Sequence, residues 1–237
     1  MKKRAFVVGA GGHGKVVVDT LLSAGDCEIV GFIDDDAQKL GKLVFGIPVV
    51  GSFDDLLPLA AQYHIDGTAL AIGDNYVREH QYRRLKKAGL DVLRVVHPRA
   101  YISRFACLGD AVVIFADSVI NPGAVIGDNV CVNTRASVDH DTCLGYSCHV
   151  FANATLTGGV VVGDFSYIGC SATVIPNRQI GRFSFVGAGA VVIRDVGEGV
   201  KVAGVPAREI GSQIARPLQL KLEIAESGRP SDLTART

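Results

Sequence analysis

Histidine is the side chain whose charge changes nearest neutral pH, and six occur among the 237 residues. His140 stands in Val138-Asp139-His140-Asp141, with a carboxylate immediately after it, and His149 follows nine residues on, beside Cys148. His64, His80 and His97 have no motif around them and are expected in surface or packing roles. His13 falls in Gly9-Ala10-Gly11-Gly12-His13-Gly14, a string that satisfies G-x-G-x-x-G. Such a turn at the start of a helix presents backbone N–H groups suited to a pyrophosphate. Carboxylates at the end of the next strand, here Asp34-Asp35-Asp36, can accept hydrogen bonds from a ribose or a base. The string also begins like a P-loop, Gly9 through Gly14-Lys15, but Val16 replaces the Ser or Thr that would hold magnesium. That substitution argues against an NTPase.

Two kinds of element must hold these residues. Residues 4–8 form an apolar run leading into the glycine string, and 15–24 has helical spacing, with Val16, Val17, Thr20 and Leu21 available to pack. Residues 28–33 read as a second strand ending at the three aspartates, and 69–72 as a third ending in Gly73-Asp74-Asn75. A helix over 76–88 and a final strand over 92–96 complete the set. The expectation over residues 1–97 is an α/β half-Rossmann domain with a small parallel sheet. Asp34 lies twenty residues after Gly14, as a ribose-binding acid would in an NAD enzyme. The unit ends without a second mononucleotide-binding half, however, so a mononucleotide or nucleotide sugar suits it better than a dinucleotide.

A different period starts at Ile102. Every sixth residue from there to Val192, sixteen positions in all, is aliphatic. With aliphatics filling about a third of ordinary positions, such a run does not arise by chance. Four places later come mostly small residues, such as Ala106, Ala124, Ala136, Cys148, Ser166 and Ser184. A period of six is the mark of a parallel β-helix, with three hexads to a coil, the aliphatic residue pointing inward and small residues at the crowded corners. Gly109, Gly127, Gly145, Gly163, Gly169, Gly181 and Gly187 follow aliphatics and are expected where the chain bends. Arg178 takes a usually small position beside Pro176 and Asn177, which predicts a local bend. The coil is assigned to residues 98–210, and 211–237 reads as a polar tail with a short helix around 218–225. His140, two places after an inward aliphatic, is expected on the outer surface. His149 lies half a coil away on another face, so a site using both would be completed across a subunit boundary.

Composition removes several classes of function. Formal net charge is zero, which gives no field to recruit nucleic acid. No apolar run approaches the roughly 20 residues that span a bilayer, so membrane insertion is not expected. The basic start Met1-Lys2-Lys3-Arg4 leads into a short apolar run that reads as a strand and not as a signal peptide. Six cysteines without a CxxC pair indicate free thiols in a reducing, cytoplasmic setting.

The repeat from Ile102 to about Val196 resembles the hexapeptide acyltransferases. That resemblance implies a left-handed coil, a homotrimer, and acyl-CoA lying between neighbouring prisms. Further strings narrow it: Gly11-Gly12-His13-Gly14, Phe32-Ile33-Asp34-Asp35, Ala71-Ile72-Gly73-Asp74-Asn75, Val138-Asp139-His140-Asp141, Cys148-His149 and Gly204-Val205-Pro206-Ala207. Over nearly the whole chain the sequence resembles the nucleotide-sugar N-acetyltransferases of the bacillosamine and perosamine type, related to sialic acid O-acetyltransferases. The resemblance implies that acetyl-CoA is cosubstrate and that no metal is used. It makes His140 the general base and Asp141 the partner that fixes its tautomer. His149 matches an acetyl-CoA contact, Gly158 an oxyanion donor, and Cys170 and Ala188 main-chain contacts to the CoA arm. Gly11, Gly12, His13, Asp34, Asp35 and Gly73 match contacts to the nucleotide sugar. The implied reaction is N-acetylation of an NDP-linked 4-amino-4,6-dideoxyhexose, UDP preferred over GDP or dTDP, in O-antigen or glycan synthesis. Direct transfer is favoured over an acyl-enzyme on Cys143 or Cys148, since nothing in the sequence sets a base beside either thiol. The alternatives are sugar O-acetylation, and a trimeric module that only senses a nucleotide.

Overall fold

The computed structural model describes residues 2–212. All of the expected tail but its first two residues therefore lies outside the described residues. The chain divides into two compact units, one comprising residues 2–100 and 110–117, the other 101–109 and 118 onward.

In the first unit β1 (Lys3–Val8) runs into α1 (Gly12–Ala24) and returns as β2 (Cys27–Ile33). A hairpin of β3 (Leu43–Val44) and β4 (Ile47–Gly51) follows, then α2 (Leu56–Gln62), β5 (Gly67–Leu70) and α3 (Asn75–Lys87). The sheet order is β3-β4-β2-β1-β5, parallel except for β3. The crossover through α1 carries the chain from β1 to β2 on one side, and the crossover through α2 carries it from β4 back to β5 on the other side of β1, so the strand ends beside β1 form a switch point where such sheets bind ligands. On one face of the sheet Phe6, Ile33 and Leu70 pack with Leu56 of α2 and Tyr82 and Leu85 of α3 into a core. The sequence reading missed the hairpin and α2. Its strand over 92–96 is also corrected. Val92 makes one isolated bridge to Thr68, while β6 (Val95–Val96) pairs in parallel with Val113–Ile114, eighteen residues on.

The second unit is the left-handed parallel β-helix. Two-residue rungs repeat every eighteen residues on three faces: Val119–Ile120 pairs with Ser137–Val138, Val125–Ile126 with Cys143–Leu144, and Cys131–Val132 with His149–Val150. The inward ladder is fully buried at Ile120, Val138, Leu156 and Val174, and Ala124, Ala136, Ala154 and Ala172 are buried at the corners. Where a hydroxyl takes such a corner it is satisfied internally: Thr142 Oγ1 donates to Thr157 O at 3.0 Å and Ser166 Oγ to Gly181 O at 2.8 Å. This is why Ser and Thr can stand among the small residues of the repeat.

Two expectations about the coil are corrected. The bend is not made by the glycines that follow aliphatics. Every sixth residue from Gly123 to Gly189 has φ between 51° and 77°, and these include Arg135, Asp141, Asn153 and Phe165. They come three places after the aliphatic. The glycines after aliphatics serve close stacking instead, since a Cβ on Gly163 would lie 2.6 Å from Arg182 N and one on Gly169 2.7 Å from Ala188 N. Nor does the coil bend at Arg178. Val161 N donates to Arg178 O at 3.0 Å, and Gln179–Ile180 stays in register with Val161–Val162. The guanidinium avoids the crowded interior by turning outward to Asp195. The coil ends in an antiparallel pair, Val200–Ala203 with Arg208–Ser212. Among the described residues no helix is long and apolar enough to cross a membrane.

Candidate functional site

His140 and Asp141 occupy the corner after the rung Ser137–Val138. Both are exposed, and His140 Nδ1 lies 2.8 Å from Asp141 Oδ2. That bond leaves Nε2 as the ring nitrogen open to an incoming group. The hydrogen bond to Asp141, and after it the charge of Asp139, raise the pKa of His140 above its ordinary value. Asp139 is itself fixed: its Oδ1 accepts from His140 N at 2.8 Å and from Asn121 Nδ2 at 2.7 Å, and these bonds lower its pKa.

Gly158, one coil further on, lies against the imidazole. A Cβ there would stand 2.5 Å from both Cε1 and Nε2 of His140. No acceptor among the described residues takes the Gly158 N–H. Pro122 and Pro176 hold the equivalent places one coil before His140 and one coil after Gly158, so the ladder does not use an N–H in this column. An unused amide beside an open imidazole nitrogen can stabilise negative charge developing near a base.

Cys170 and Ala188 are exposed at a different corner, after the rungs Tyr167–Ile168 and Phe185–Val186. His149 belongs to the same face as those rungs. It is only 2% exposed, its ring stacked on Phe151 at 4.0 Å. Within one chain, His140, Asp141 and Gly158 therefore come together, while His149, Cys170 and Ala188 belong to another face and its following corner.

In the first unit a cleft of about 190 Å³ opens at the ends of β1, β2 and β5, lined by Gly9, Asp34, Asp35, Phe53, Ile72, Val77 and Gln81 among others. The glycines of the turn divide by function. A Cβ on Gly9 would lie 2.6 Å from Ala71 O, and one on Gly14 would collide with Gly9 O, whereas Gly11, Gly12 and Gly73 meet nothing within 4 Å. Gly9 and Gly14 are required by packing, and Gly11 and Gly12 leave open backbone at the start of α1. Asp34 is already engaged: Oδ2 accepts from Ala10 N at 2.7 Å, Oδ1 from Asp36 N at 3.0 Å, and Lys39 Nζ bridges both oxygens. Burial pushes its carboxyl up, but the bonds from Ala10, Lys39 and Asp36 outweigh that and leave the pKa below its usual value. Asp34 clamps the glycine turn to the β2 loop. Asp35 uses Oδ1 to hold Phe53 N at 2.8 Å, which leaves its second oxygen as the acceptor a ligand can reach. His13 packs edge-on against Phe115, 5.3 Å between centroids, and burial, with the Arg78 charge adding, pushes its pKa down to about 4.

Comparison with known proteins gives these two sites a context. Residues 4–85 match the family described as the PglD N-terminal domain. PerB from Caulobacter crescentus, solved in complex with CoA and GDP-perosamine, is 38% identical, with a TM-score of 0.82 over 87% of this chain and 97% of that one. The acetyltransferase domain of PglB from Neisseria gonorrhoeae, solved with acetyl coenzyme A, is 33% identical, with a TM-score of 0.81 over 89% of this chain and 100% of that one. The chain belongs to the hexapeptide-repeat nucleotide-sugar N-acetyltransferases. A curated relative, UDP-N-acetylbacillosamine N-acetyltransferase of Bacillus subtilis, is 35% identical over 118 residues, 48% of this chain and 52% of that protein. The chain spans about half the length, or less, of the curated relatives it matches.

For an N-acetyltransferase of this family the thiols are as informative as the histidines. Cys148 is buried and its Sγ donates to Gly163 O, while burial, and then the charge of Asp141, raise the pKa of Cys143. Neither environment favours a thiolate. Among the described residues no three His, Cys, Asp or Glu side chains gather as a metal site would need. The sequence reading missed Phe53, Gln81 and Arg78. Arg78 is buried on the first turn of α3 and donates to Ile72 O at 3.1 Å and Asn75 Oδ1 at 2.8 Å, shaping the loop that ends β5. A cation one turn after the capping Asp74 was the available signal.

Proposed function

We propose that this chain transfers the acetyl group of acetyl-CoA to the 4-amino group of a nucleotide-linked 4-amino-4,6-dideoxyhexose, UDP-linked by preference, for glycan or O-antigen synthesis in the cytoplasm. Acetyl-CoA supplies an acyl group already activated as a thioester, so the residues need only position the amine, remove its proton and stabilise the oxyanion. In this reading His140 Nε2 takes the proton while Asp141 holds Nδ1, and the Gly158 N–H stabilises the negative oxygen. Gly11, Gly12, His13, Asp35 and Gly73 bind the nucleotide sugar, with Asp34 clamping the turn. His149, Cys170 and Ala188 belong to the acetyl-CoA site, and the separation of their face and corner from His140 favours a trimer in which neighbouring subunits complete each site.

The observation that carries this reading is the bonded His140–Asp141 pair with Nε2 left open over Gly158. Its test is turnover by His140→Ala, followed as CoA thiol release with amino-sugar and hydroxyl-sugar acceptors side by side. The expected loss in kcat is about 10² to 10⁴, with an unchanged melting temperature. Asp141→Asn should lose less, since it removes orientation and not the base. Near wild-type turnover by His140→Ala would sink the mechanism, and release only with the hydroxyl acceptor would move the activity to O-acetylation.

A further inference from the structure

Gly123 lies on the coil beneath Asp141, eighteen residues earlier in the chain. A Cβ at Gly123 would stand 2.5 Å from Asp141 Oδ1, the oxygen not bonded to the imidazole. The Asp141 backbone is seated on the same stretch, its N–H donating to Pro122 O at 3.2 Å. The backbone at Gly123, φ 77°, does not itself demand glycine: Asn129, Arg135 and Asn153 take the equivalent corner conformation, and Ala111 does so at φ 54°. What glycine provides here is space. Gly158 provides the same for the imidazole from the coil on the other side. The His140–Asp141 pair is thus held between two positions without side chains, Gly123 against Asp141 on one side and Gly158 against His140 on the other.

We propose that Gly123 is a positioning residue for this pair, its missing side chain setting where the Asp141 carboxylate stands and so the orientation of His140. The consequence for activity rests on His140 being the base. With a Cβ present the Asp141 side chain must rotate, because it is the movable partner in the contact. The 2.8 Å bond to Nδ1 is then lost without any change in either residue of the pair.

The experiment is Gly123→Ala in the full chain, with Gly123→Asn as a second variant that adds the same Cβ and suits a left-handed backbone. Three quantities are read: the NMR titration of His140, the pH profile of kcat, and KM for acetyl-CoA. The Asp141 bond raises the pKa of His140. The variants should therefore titrate at lower pH than the native protein, with the acid limb of kcat moving the same way. Maximal kcat should fall by about 10 to 100-fold at unchanged KM, the usual cost of losing the partner that orients a histidine. Adding Asp141→Asn to Gly123→Ala should lower kcat no further, since both remove one contact. An unchanged His140 titration in a folded variant overturns the proposal, as does an additive loss in the double variant or failure of both variants to fold. If His140→Ala retains turnover, the base reading fails separately, and the titration still decides whether Gly123 positions the pair.

Discussion

His13 and His140 show how position sets the charge of one residue type. His140 is exposed and bonded to a carboxylate, so its proton is held more tightly than usual, whereas His13 is pushed to about 4 by burial and by Arg78. His13 is therefore neutral at pH 7, and protonating it requires charging a group the fold has desolvated. The sign follows from linkage. Well above pH 6.5 neither state binds this proton; as pH falls through 6.5 toward 4 the unfolded chain binds it first, so stability drops across that window. Urea unfolding should lose about 2 kcal/mol from this group between pH 7.5 and 5. His13→Gln should remove that part of the pH dependence while leaving stability at pH 7.5 nearly unchanged. Equal pH slopes in the two proteins would show that His13 does not carry it.

Among the elements, the coil's glycines fall into two kinds that one sequence pattern does not separate. Gly163 follows an aliphatic and lies where a Cβ would strike Arg182 N, a backbone atom that cannot move without its coil, whereas Gly189 has φ 66° but nothing within 4 Å. Gly163→Ala should thus cost about 3 kcal/mol and Gly189→Ala about 1 kcal/mol, compared by urea midpoint. The reverse order would show that the left-handed corner backbone, and not close stacking of the coils, is the stronger demand for glycine. The β-helix was legible because one residue in six must fill a narrow bore, which leaves a period nothing else produces. The hairpin and α2 were not, and the cause is local: β4 carries Pro48, and α2 has only seven residues with Pro58 in its first turn. Phe53, which lines the cleft at the strand ends, lies between those two elements and was lost with them. His140 and Asp141 were readable as neighbours in the chain. Gly123 was not, since its relation to them appears only when coils eighteen residues apart are stacked.

For the whole molecule, the arrangement of the proposed site has a consequence for assembly. His140 stands at the corner after one face of the prism, and Ala188 is exposed at the corner after another. If acetyl-CoA bound at Ala188 of one subunit is served by His140 of its neighbour, each site needs one intact residue from each of two chains. Two defective proteins test this: His140→Ala, which lacks the proposed base, and Ala188→Trp, which puts a large side chain at an exposed position of the proposed acetyl-CoA site. Each alone should be inactive. Unfolded together in equal amounts and refolded, they assort at random, and one boundary in four joins an intact His140 to an intact Ala188. Turnover should return to about a quarter of the wild-type value. A site built within a single chain would recover nothing, because every chain in the mixture lacks one of the two residues. Mixing the folded proteins without unfolding measures subunit exchange, and recovery there should grow slowly toward the same fraction.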